Sequence, residues 1–359
     1  MKAVVRRGPK LEVDKNFELP EPGPGQVIVK TLCCGICGSD LHALHHLDHF
    51  AAIGQRSGAL RNLQASHDLV FGHEFCAEIV DYGPGCSKTL KPGQNVVSMP
   101  YAAGSDGLEV VGYSNTFPGG FAEYMVLQED LLLPVPGGVD PEAAGLTEPL
   151  AVGRHAVNMA RLTKNDVAMV IGCGPVGLAV IAALKQDGFG PVVASDFSAE
   201  RRAAAERLGA DIVIDPARTS PHARWQSLGV AATLAEVEAM TLQGKTGKHA
   251  VVFECVGVPG LIQSLIMDAP PATRVIVAGV CMSEDTFEPA IAINKQMSLQ
   301  FVLGYNAAEF ASCLTSIAEG QLDTGLFLSG SVGMDEVSAT FGRLQNEPSS
   351  IKIMVKPHQ

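Results

Sequence analysis

Short apolar runs separated by turns occupy the first third of the chain. The runs Val27–Val29, Glu78–Val80 and Val96–Val97 are rich in β-branched residues, which favour strands. Turns rich in proline and glycine follow or precede them at residues 20–25, 83–85 and 91–93. This pattern predicts a β-rich first domain, built as a small antiparallel barrel or sandwich.

From about Val157 the pattern changes to short apolar strands that alternate with helices. Strands are predicted at residues 167–171, 192–195, 212–214, 250–253 and 274–278. Helices are predicted at residues 176–185 and 199–208, and Gly209 is expected to end the second. Strands that alternate with helices are typical of a doubly wound parallel sheet, so the expected fold class is α/β.

The end of the chain is expected to return to the first domain. After about Lys295 the pattern is mixed, and Ile351, Ile353 and Val355 close it with a strand-like alternation. The 359 residues exceed one typical domain and suit two. Hydrophobic residues make up 47% and charged residues 18%, which is typical of a globular protein with large cores.

One uncharged stretch, residues 167–184, is long enough to suggest a membrane helix. Gly172, Gly174, Pro175 and Gly177 interrupt it, so a strand, a glycine turn and a buried helix explain it better. We therefore expect no membrane partner.

Charge and cysteine usage narrow the classes of partner and compartment. The net charge of -12 argues against a nucleic acid or an anionic membrane, because an acidic surface attracts neither. The nine cysteines are odd in number and irregular in spacing, which indicates free thiols in a reducing compartment. No apolar signal core follows the N-terminus, so we expect a cytoplasmic location.

A glycine motif marks a candidate dinucleotide site. Residues 172–177 read Gly-Cys-Gly-Pro-Val-Gly, which is G-x-G-x-x-G placed between a predicted strand and a predicted helix. The candidate cofactor-binding residues are Gly172, Gly174, Pro175, Val176, Gly177 and Asp196. The glycines let the backbone approach a pyrophosphate at the helix N-terminus. Asp196 follows the next strand and can bond the ribose 2′-hydroxyl of NAD, whereas it would repel the 2′-phosphate of NADP.

Three further segments supply donors suited to zinc. They are residues 34–42 (CGICGSDLH), 72–74 (GHE) and 148–150 (EPL). A catalytic zinc ion needs an open position, so three protein ligands are expected. Each residue also has an ordinary explanation. Cys37 could be a buried apolar residue or part of a redox pair with Cys34, His73 a core histidine, and Glu148 a helix N-terminal charge.

In their order and placement, these motifs resemble the zinc-containing medium-chain dehydrogenase/reductase family, and so does Glu254-Cys255-Val256-Gly257. The resemblance covers nearly the whole chain. It implies a GroES-like catalytic domain split around a Rossmann domain. We expect the first domain to comprise residues 1–155 and 296–359, and the Rossmann domain residues 156–295.

The resemblance also implies roles for individual residues. Cys37 and His73 resemble zinc ligands, and Glu74 resembles a carboxylate that binds the metal in some members and stands behind it in others. Glu148 lies where alcohol dehydrogenases often have a cysteine and polyol dehydrogenases a glutamate. It would bind zinc or hold the zinc-bound water.

Three residues of the same motif resemble a proton relay. Asp40 resembles the group that orients His73, Ser39 the hydroxyl that takes the substrate proton, and His42 the outer end of the relay. Zinc would lower the pKa of the alcohol, and the nicotinamide would accept hydride.

The sequence departs from the family in three places. Residues 98–123 hold no cysteine, so we expect one catalytic zinc per chain and no structural zinc. The segment between His42 and His73 is long, and its histidines could form an extra metal site, although we expect solvated loop residues. Polyol dehydrogenases carry an arginine in the segment that matches residues 301–306, which has none here. Four aromatic residues could line a more apolar pocket or belong to the core: Tyr101, Tyr113, Phe121 and Tyr305.

The leading prediction is a zinc- and NAD-dependent oxidoreductase for an alcohol or the matching aldehyde or ketone, assembled as a homodimer or homotetramer. The alternatives are a polyol or sugar dehydrogenase, a metal-free quinone or enoyl reductase on the same fold, and a non-catalytic NAD-binding protein.

Overall fold

The computed structural model describes residues 1–346 and 350–359. It divides into two compact units. The first comprises Met1–Glu148 with Phe310–Gln359, and the second comprises Pro149–Glu309. Within the described residues, no helix combines the length and the apolar character needed to cross a bilayer.

The described residues form 17 strands and ten α-helices, numbered in chain order. The strands are β1 (Ala3–Arg7), β2 (Lys10–Asp14), β3 (Gln26–Gly35), β4 (Glu74–Tyr82), β5 (Asn95–Ser98), β6 (Tyr101–Gly104), β7 (Gly107–Val110), β8 (Tyr124–Gln128), β9 (Leu132–Pro134), β10 (Asp166–Ile171), β11 (Val192–Ser195), β12 (Ile212–Ile214), β13 (His249–Glu254), β14 (Arg274–Val277), β15 (Ser298–Phe301), β16 (Leu328–Val332) and β17 (Lys352–Val355). The helices are α1 (Gly38–Ser57), α2 (Pro141–Gly145), α3 (Thr147–Ala160), α4 (Pro175–Gln186), α5 (Ala199–Arg207), α6 (Leu234–Leu242), α7 (Leu261–Asp268), α8 (Pro289–Asn294), α9 (Ala307–Ala318) and α10 (Val337–Asn346).

Strand β3 is the central strand of the main sheet in the first unit. It pairs antiparallel with β4, β8 and β17, in a sheet whose order is β16-β17-β3-β4-β5-β9. Its side chains alternate between buried and half-buried positions along the middle of the strand, as expected for a sheet packed on one main core. In this core the ring of Phe341 packs against those of Phe71 and Phe121.

The second unit is built on a six-stranded parallel sheet in the order β12-β11-β10-β13-β14-β15. The central strands β10 and β13 are apolar over most of their length and almost fully buried, as expected for a parallel sheet covered on both faces. The order reverses beside β10, which is where open α/β sheets place ligands. The predicted α/β fold class is therefore confirmed.

The bounds of the units differ from the predicted ones. The chain leaves the first unit after Glu148 rather than after residue 155, and it returns at Phe310 rather than at residue 296. The second difference arises from β15, which pairs with β14 and extends the parallel sheet. Its residues are half-buried or exposed, so it lacks the apolar run that reveals the other parallel strands.

The segment after the first zinc motif is a helix and not the expected solvated loop. Helix α1 runs for 20 residues and places its apolar residues at helical spacing on the core, namely Ala43, Leu44, Leu47 and Ala51. The histidines between them, His45, His46 and His49, lie on the exposed face. Among the described residues, no group of three or more possible metal ligands includes them.

Candidate active site

Strand pairing gathers one thiol, one imidazole and one carboxylate. Cys37 lies between β3 and α1, while His73 and Glu74 lie at the start of β4, which pairs with β3 through Gly35 and Glu74. One potential ligand atom from each of Cys37, His73 and Glu74 lies within 4.8 Å of the other two. We call these three residues the donor cluster. Sulfur, nitrogen and oxygen donors of this kind are those that zinc takes in catalytic sites.

The surroundings of His73 suit a cation. Its Nδ1 is buried without a hydrogen-bond partner among the described residues, and it lies 3.6 Å from Oδ1 of Asp40. Burial opposes protonation of the imidazole, but Asp40, Cys37 and Glu148 outweigh it and raise the pKa of His73 well above its usual value. A buried ring surrounded by acidic groups is what a metal-ligating histidine with a carboxylate behind it requires. The residues present therefore fit a zinc ion.

Glu74 has a partner that the sequence analysis missed. Lys352 on β17 donates to Glu74 Oε2 at 2.5 Å and to the carbonyl of Ile36 at 3.1 Å. Both charged side chains are almost fully buried. Burial raises the pKa of Glu74, but the Lys352 charge and hydrogen bond help bring it below its usual value. A lone lysine within an apolar terminal strand was the feature that could have pointed to this pair.

Glu148 is close to the donor cluster without belonging to it. It is buried at the start of α3, 9% exposed. Its charge adds to the rise in the pKa of His73 and of Lys352, and together with burial it raises the pKa of Tyr101. The Glu148 charge therefore acts on the region of the metal donors.

The predicted relay residues meet at a buried tyrosine. The Tyr113 hydroxyl lies 2.8 Å from Ser39 Oγ and 2.7 Å from Asp40 Oδ1. Asp40 Oδ2 also accepts from the backbone N–H of Cys37 at 3.0 Å. Burial raises the pKa of Asp40. The chain thus connects Ser39, Asp40 and the metal donors through one phenol.

His42, the predicted outer end of the relay, is exposed on α1. Partial burial and the nearby His46 lower the pKa of its imidazole. A neutral, accessible imidazole at neutral pH is able to accept a proton and release it to water.

The glycine motif forms the expected turn between β10 and α4. Gly172 has φ +89°, in the left-handed region that favours glycine. A Cβ on Gly177 would lie 1.8 Å from the Gly172 carbonyl oxygen, so only glycine fits at this crossing. Helix α4 then begins at Pro175 and Val176, with Gly174 as its N-cap. Its first N–H groups are available for an anion.

Asp196 lies at the end of β11 and faces this turn. Its Oδ2 accepts from the Cys173 N–H at 2.7 Å, and its Oδ1 accepts from the Ser198 N–H at 2.7 Å. Each carboxylate oxygen has a second acceptor position, so the group is fixed in place and can still bind a hydroxyl.

The predicted aromatic residues do not form one group. Phe121 is fully buried and packs edge-on against Phe341, so it belongs to the core. Tyr113 contacts Ser39 of the predicted relay, and Tyr101 lies near Glu148. Tyr305 belongs to the second unit.

Comparisons with known proteins identify the family. The family model "Alcohol dehydrogenase GroES-like domain" matches residues 23–137, and "Zinc-binding dehydrogenase" matches residues 175–319. The chain is 32% identical over 354 residues to (R,R)-butanediol dehydrogenase of Bacillus subtilis (strain 168), covering 96% of each. The chain belongs to the zinc-containing medium-chain dehydrogenases. The predicted family is thereby confirmed.

One further relative and one solved structure support the same assignment. Sorbitol dehydrogenase of Bos taurus is 29% identical over 305 residues, which cover 81% of this chain and 78% of the relative. The crystal structure of 2R,3R-butanediol dehydrogenase from Bacillus subtilis superposes with a TM-score of 0.76 at 28% identity, covering 99% of both chains. The protein is accordingly a zinc-dependent oxidoreductase of the alcohol and polyol dehydrogenase class that uses a nicotinamide cofactor.

Proposed function

We propose that the protein is an NAD-dependent dehydrogenase that oxidises a small secondary alcohol or vicinal diol with one zinc ion per chain. The observation that carries the proposal is the donor cluster, in which Cys37, His73 and Glu74 converge within 4.8 Å. This cluster favours a metal-dependent dehydrogenase over the metal-free reductases of the same fold.

For the metal, we propose Cys37 and His73 as ligands, with Glu74 as the third. Lys352 holds one oxygen of Glu74, and the other oxygen has lone pairs for the metal. Glu148 would bind the water or hydroxyl that occupies the open position. The absence of cysteine from residues 98–123 supports one zinc ion rather than two.

Ser39 and its neighbours would transfer the hydroxyl proton of the substrate. Bound zinc would lower the pKa of the alcohol, and bound NAD would accept the hydride. Ser39 would accept the hydroxyl proton of the substrate and release its own hydroxyl proton through the cofactor ribose toward His42. Asp40 would hold the imidazole of His73 in its orientation. His42 would pass the proton to water, which its exposure on α1 permits.

Asp196 supports NAD rather than NADP as the cofactor. Its carboxylate is fixed by two backbone N–H groups and faces the glycine turn. A fixed negative charge there can bond a ribose 2′-hydroxyl and would repel a 2′-phosphate.

The relatives support the substrate class. The (R,R)-butanediol dehydrogenase of Bacillus subtilis aligns with 96% of this chain, and residues 301–306 lack the arginine expected of polyol dehydrogenases. We therefore favour a short vicinal diol such as butane-2,3-diol over a sugar alcohol. A polyol remains the second candidate, because Glu148 matches the glutamate of that class.

The deciding experiment combines metal analysis with a substrate panel. Purified protein would be analysed for zinc and assayed with NAD and butane-2,3-diol stereoisomers, sorbitol and primary alcohols. We expect about one zinc per chain, turnover of a diol, and loss of both in Cys37→Ala. A protein without zinc whose Cys37→Ala variant reduces NAD like the wild type would refute the metal-dependent reaction.

We further propose that the protein self-associates through the edge of its parallel sheet. Strand β15 ends the sheet. Its last residue, Phe301, is 66% exposed, and Leu303 just after it is 79% exposed. An exposed apolar edge strand can pair with the same strand of a second copy. A two-fold axis between the copies would give a homodimer. Analytical ultracentrifugation tests this: Leu303→Asp is expected to shift the protein to monomers, and a monomeric wild type would refute it.

The location that we propose is the cytoplasm. All nine cysteines are free thiols, which suits a reducing compartment. Fractionation of the source cells would test this proposal, and recovery outside the cytoplasm would contradict it.

A further inference from the structure

Tyr113 has a position that the proposed reaction does not yet explain. Its phenol oxygen lies 2.8 Å from Ser39 Oγ and 2.7 Å from Asp40 Oδ1, and the residue is 7% exposed. Ser39 belongs to the proposed proton relay, whereas Asp40 stands behind the proposed ligand His73. One phenol therefore contacts both parts of the reaction machinery.

The surrounding rings hold the phenol in place. Its ring centroid lies 5.0 Å from that of Phe50, 6.0 Å from that of Phe71 and 5.2 Å from that of His73. A ring packed on three sides in a dense core has little freedom to rotate or shift. The oxygen of Tyr113 is therefore a fixed point that can hold the side chains of Ser39 and Asp40 in place.

The hydrogen bonds of Tyr113 can be assigned by counting hydrogens. A phenol carries one hydrogen, so it cannot donate to Ser39 and Asp40 at once. Donation to the buried carboxylate is the stronger bond, because a charged acceptor strengthens it. The phenol oxygen then accepts from the Ser39 hydroxyl. The resulting chain runs from the relay hydroxyl through Tyr113 to the carboxylate that faces His73.

We propose that Tyr113 is a positioning residue that fixes both the relay hydroxyl of Ser39 and the Asp40 carboxylate behind His73. This inference rests on the proposed function and deepens it. It assigns one side chain to two tasks. It keeps Ser39 aligned for the substrate proton, and it keeps the imidazole of His73 aligned for zinc through Asp40.

The test uses Tyr113→Phe, which removes the hydroxyl and keeps the ring contacts that hold the fold. Zinc affinity, measured by competition with a chromogenic chelator, is expected to fall about 10- to 100-fold, the usual effect of losing an outer-shell partner. Ser39→Ala is expected to leave that affinity unchanged, because the Ser39 hydroxyl bonds to Tyr113 and not to a proposed zinc ligand among the described residues. This readout is independent of turnover.

A double-mutant cycle tests the second task. We expect Tyr113→Phe to lower kcat about 10-fold or more at saturating zinc, with a smaller change in KM. In the Ser39→Ala background the same substitution is expected to cause a much smaller loss of kcat, because at saturating zinc only the action of Tyr113 through Asp40 remains. If Tyr113 had a merely structural role, the loss of kcat in the double variant would equal the product of the losses in the two single variants.

Tyr82→Phe is the matched control. Its hydroxyl also donates a hydrogen bond, to the carbonyl of Leu90, but it takes no part in the proposed site. Thermal unfolding verifies that both variants are folded. Wild-type zinc affinity in Tyr113→Phe, or losses of turnover that multiply with those of Ser39→Ala, overturns the inference. Failure of the proposed function would instead appear in the wild type itself, as missing zinc or missing NAD reduction.

Discussion

Replacing Lys352 by methionine is expected to destabilise the first unit strongly. Lys352 Nζ lies 2.5 Å from Glu74 Oε2, and the two side chains are 1% and 2% exposed. At an effective dielectric constant of about 20, their attraction is about 7 kcal/mol, which desolvation of both groups largely offsets. Removing only the lysine leaves the Glu74 charge buried without its cation. That loss costs about 3 to 5 kcal/mol in comparable buried pairs.

Zinc is expected to reduce this loss. The carboxylate of Glu74 belongs to the donor cluster, so a bound cation would replace part of the attraction that Lys352 supplies. The free energy of unfolding should therefore fall more in metal-free Lys352→Met than in the same variant loaded with zinc.

Hydrogen exchange of peptides from β4 and β17 is the appropriate assay. The single tryptophan, Trp225, lies in the second unit, so its fluorescence does not report on these strands. Lys356→Met is the control, because the Lys356–Glu142 pair is partly exposed, at 37% and 21%. Its loss is expected to stay below about 1 kcal/mol. An equally small loss in metal-free Lys352→Met would refute the argument that Glu74 depends on its buried partner.

Three further predictions concern the second unit. Asp196→Ala should lower kcat/KM for NAD about 10-fold or more, because a charged hydrogen-bond partner of the ribose is lost. It should raise kcat/KM for NADP, because the charge that repels the 2′-phosphate is removed. Gly177→Ala should abolish NAD binding by calorimetry, because its Cβ would lie 1.8 Å from the Gly172 oxygen. Asp166, paired with Arg274 at 2.7 Å, has a lowered pKa: burial opposes the lowering, but hydrogen bonds from Thr163 and Arg274 outweigh it. The stability that ionised Asp166 contributes to the folded state is present above the unfolded-state pKa of about 3.9. It is lost as the pH falls through the lower native pKa. Asp166→Asn should therefore lower the melting temperature by about 2 to 4 °C at pH 7, with the difference vanishing in strong acid.

Each of these predictions has a control or a contradicting outcome. Unchanged cofactor preference in Asp196→Ala would show that the carboxylate does not select NAD. Gly137→Ala controls for Gly177→Ala and should bind NAD normally. Among the described residues, no heavy atom beyond the chain neighbours of Gly137 lies within 4 Å of its added Cβ. A melting-temperature difference between Asp166→Asn and the wild type that persists in strong acid would exclude an electrostatic origin.

The parallel sheet was largely predictable from the order of residues. Strands β10 to β14 each carry a short apolar run, and glycine interrupts the chain where the turn of the dinucleotide site requires it. Strand β15 escaped prediction because an edge strand is only half-buried and needs no apolar run. Helix α1 also escaped, although its apolar residues Ala43, Leu44, Leu47 and Ala51 do follow a helical spacing. The exposed histidines between them lower the overall apolar character of the segment, so it resembles a polar loop.

The order of residues alone was enough to predict the features that depend on neighbours along the chain. These are the glycine turn at residues 172–177, Asp196 after β11, and the zinc donors of residues 34–42, 72–74 and 148–150. Which distant side chains meet became clear only from the three-dimensional fold. Lys352 reaches Glu74 across 278 positions, and Tyr113 reaches Ser39 across 74. The physical reason is that such contacts depend on strand register and core packing. A periodic pattern of apolar residues specifies which face of a strand is buried, but not which strand lies beside it.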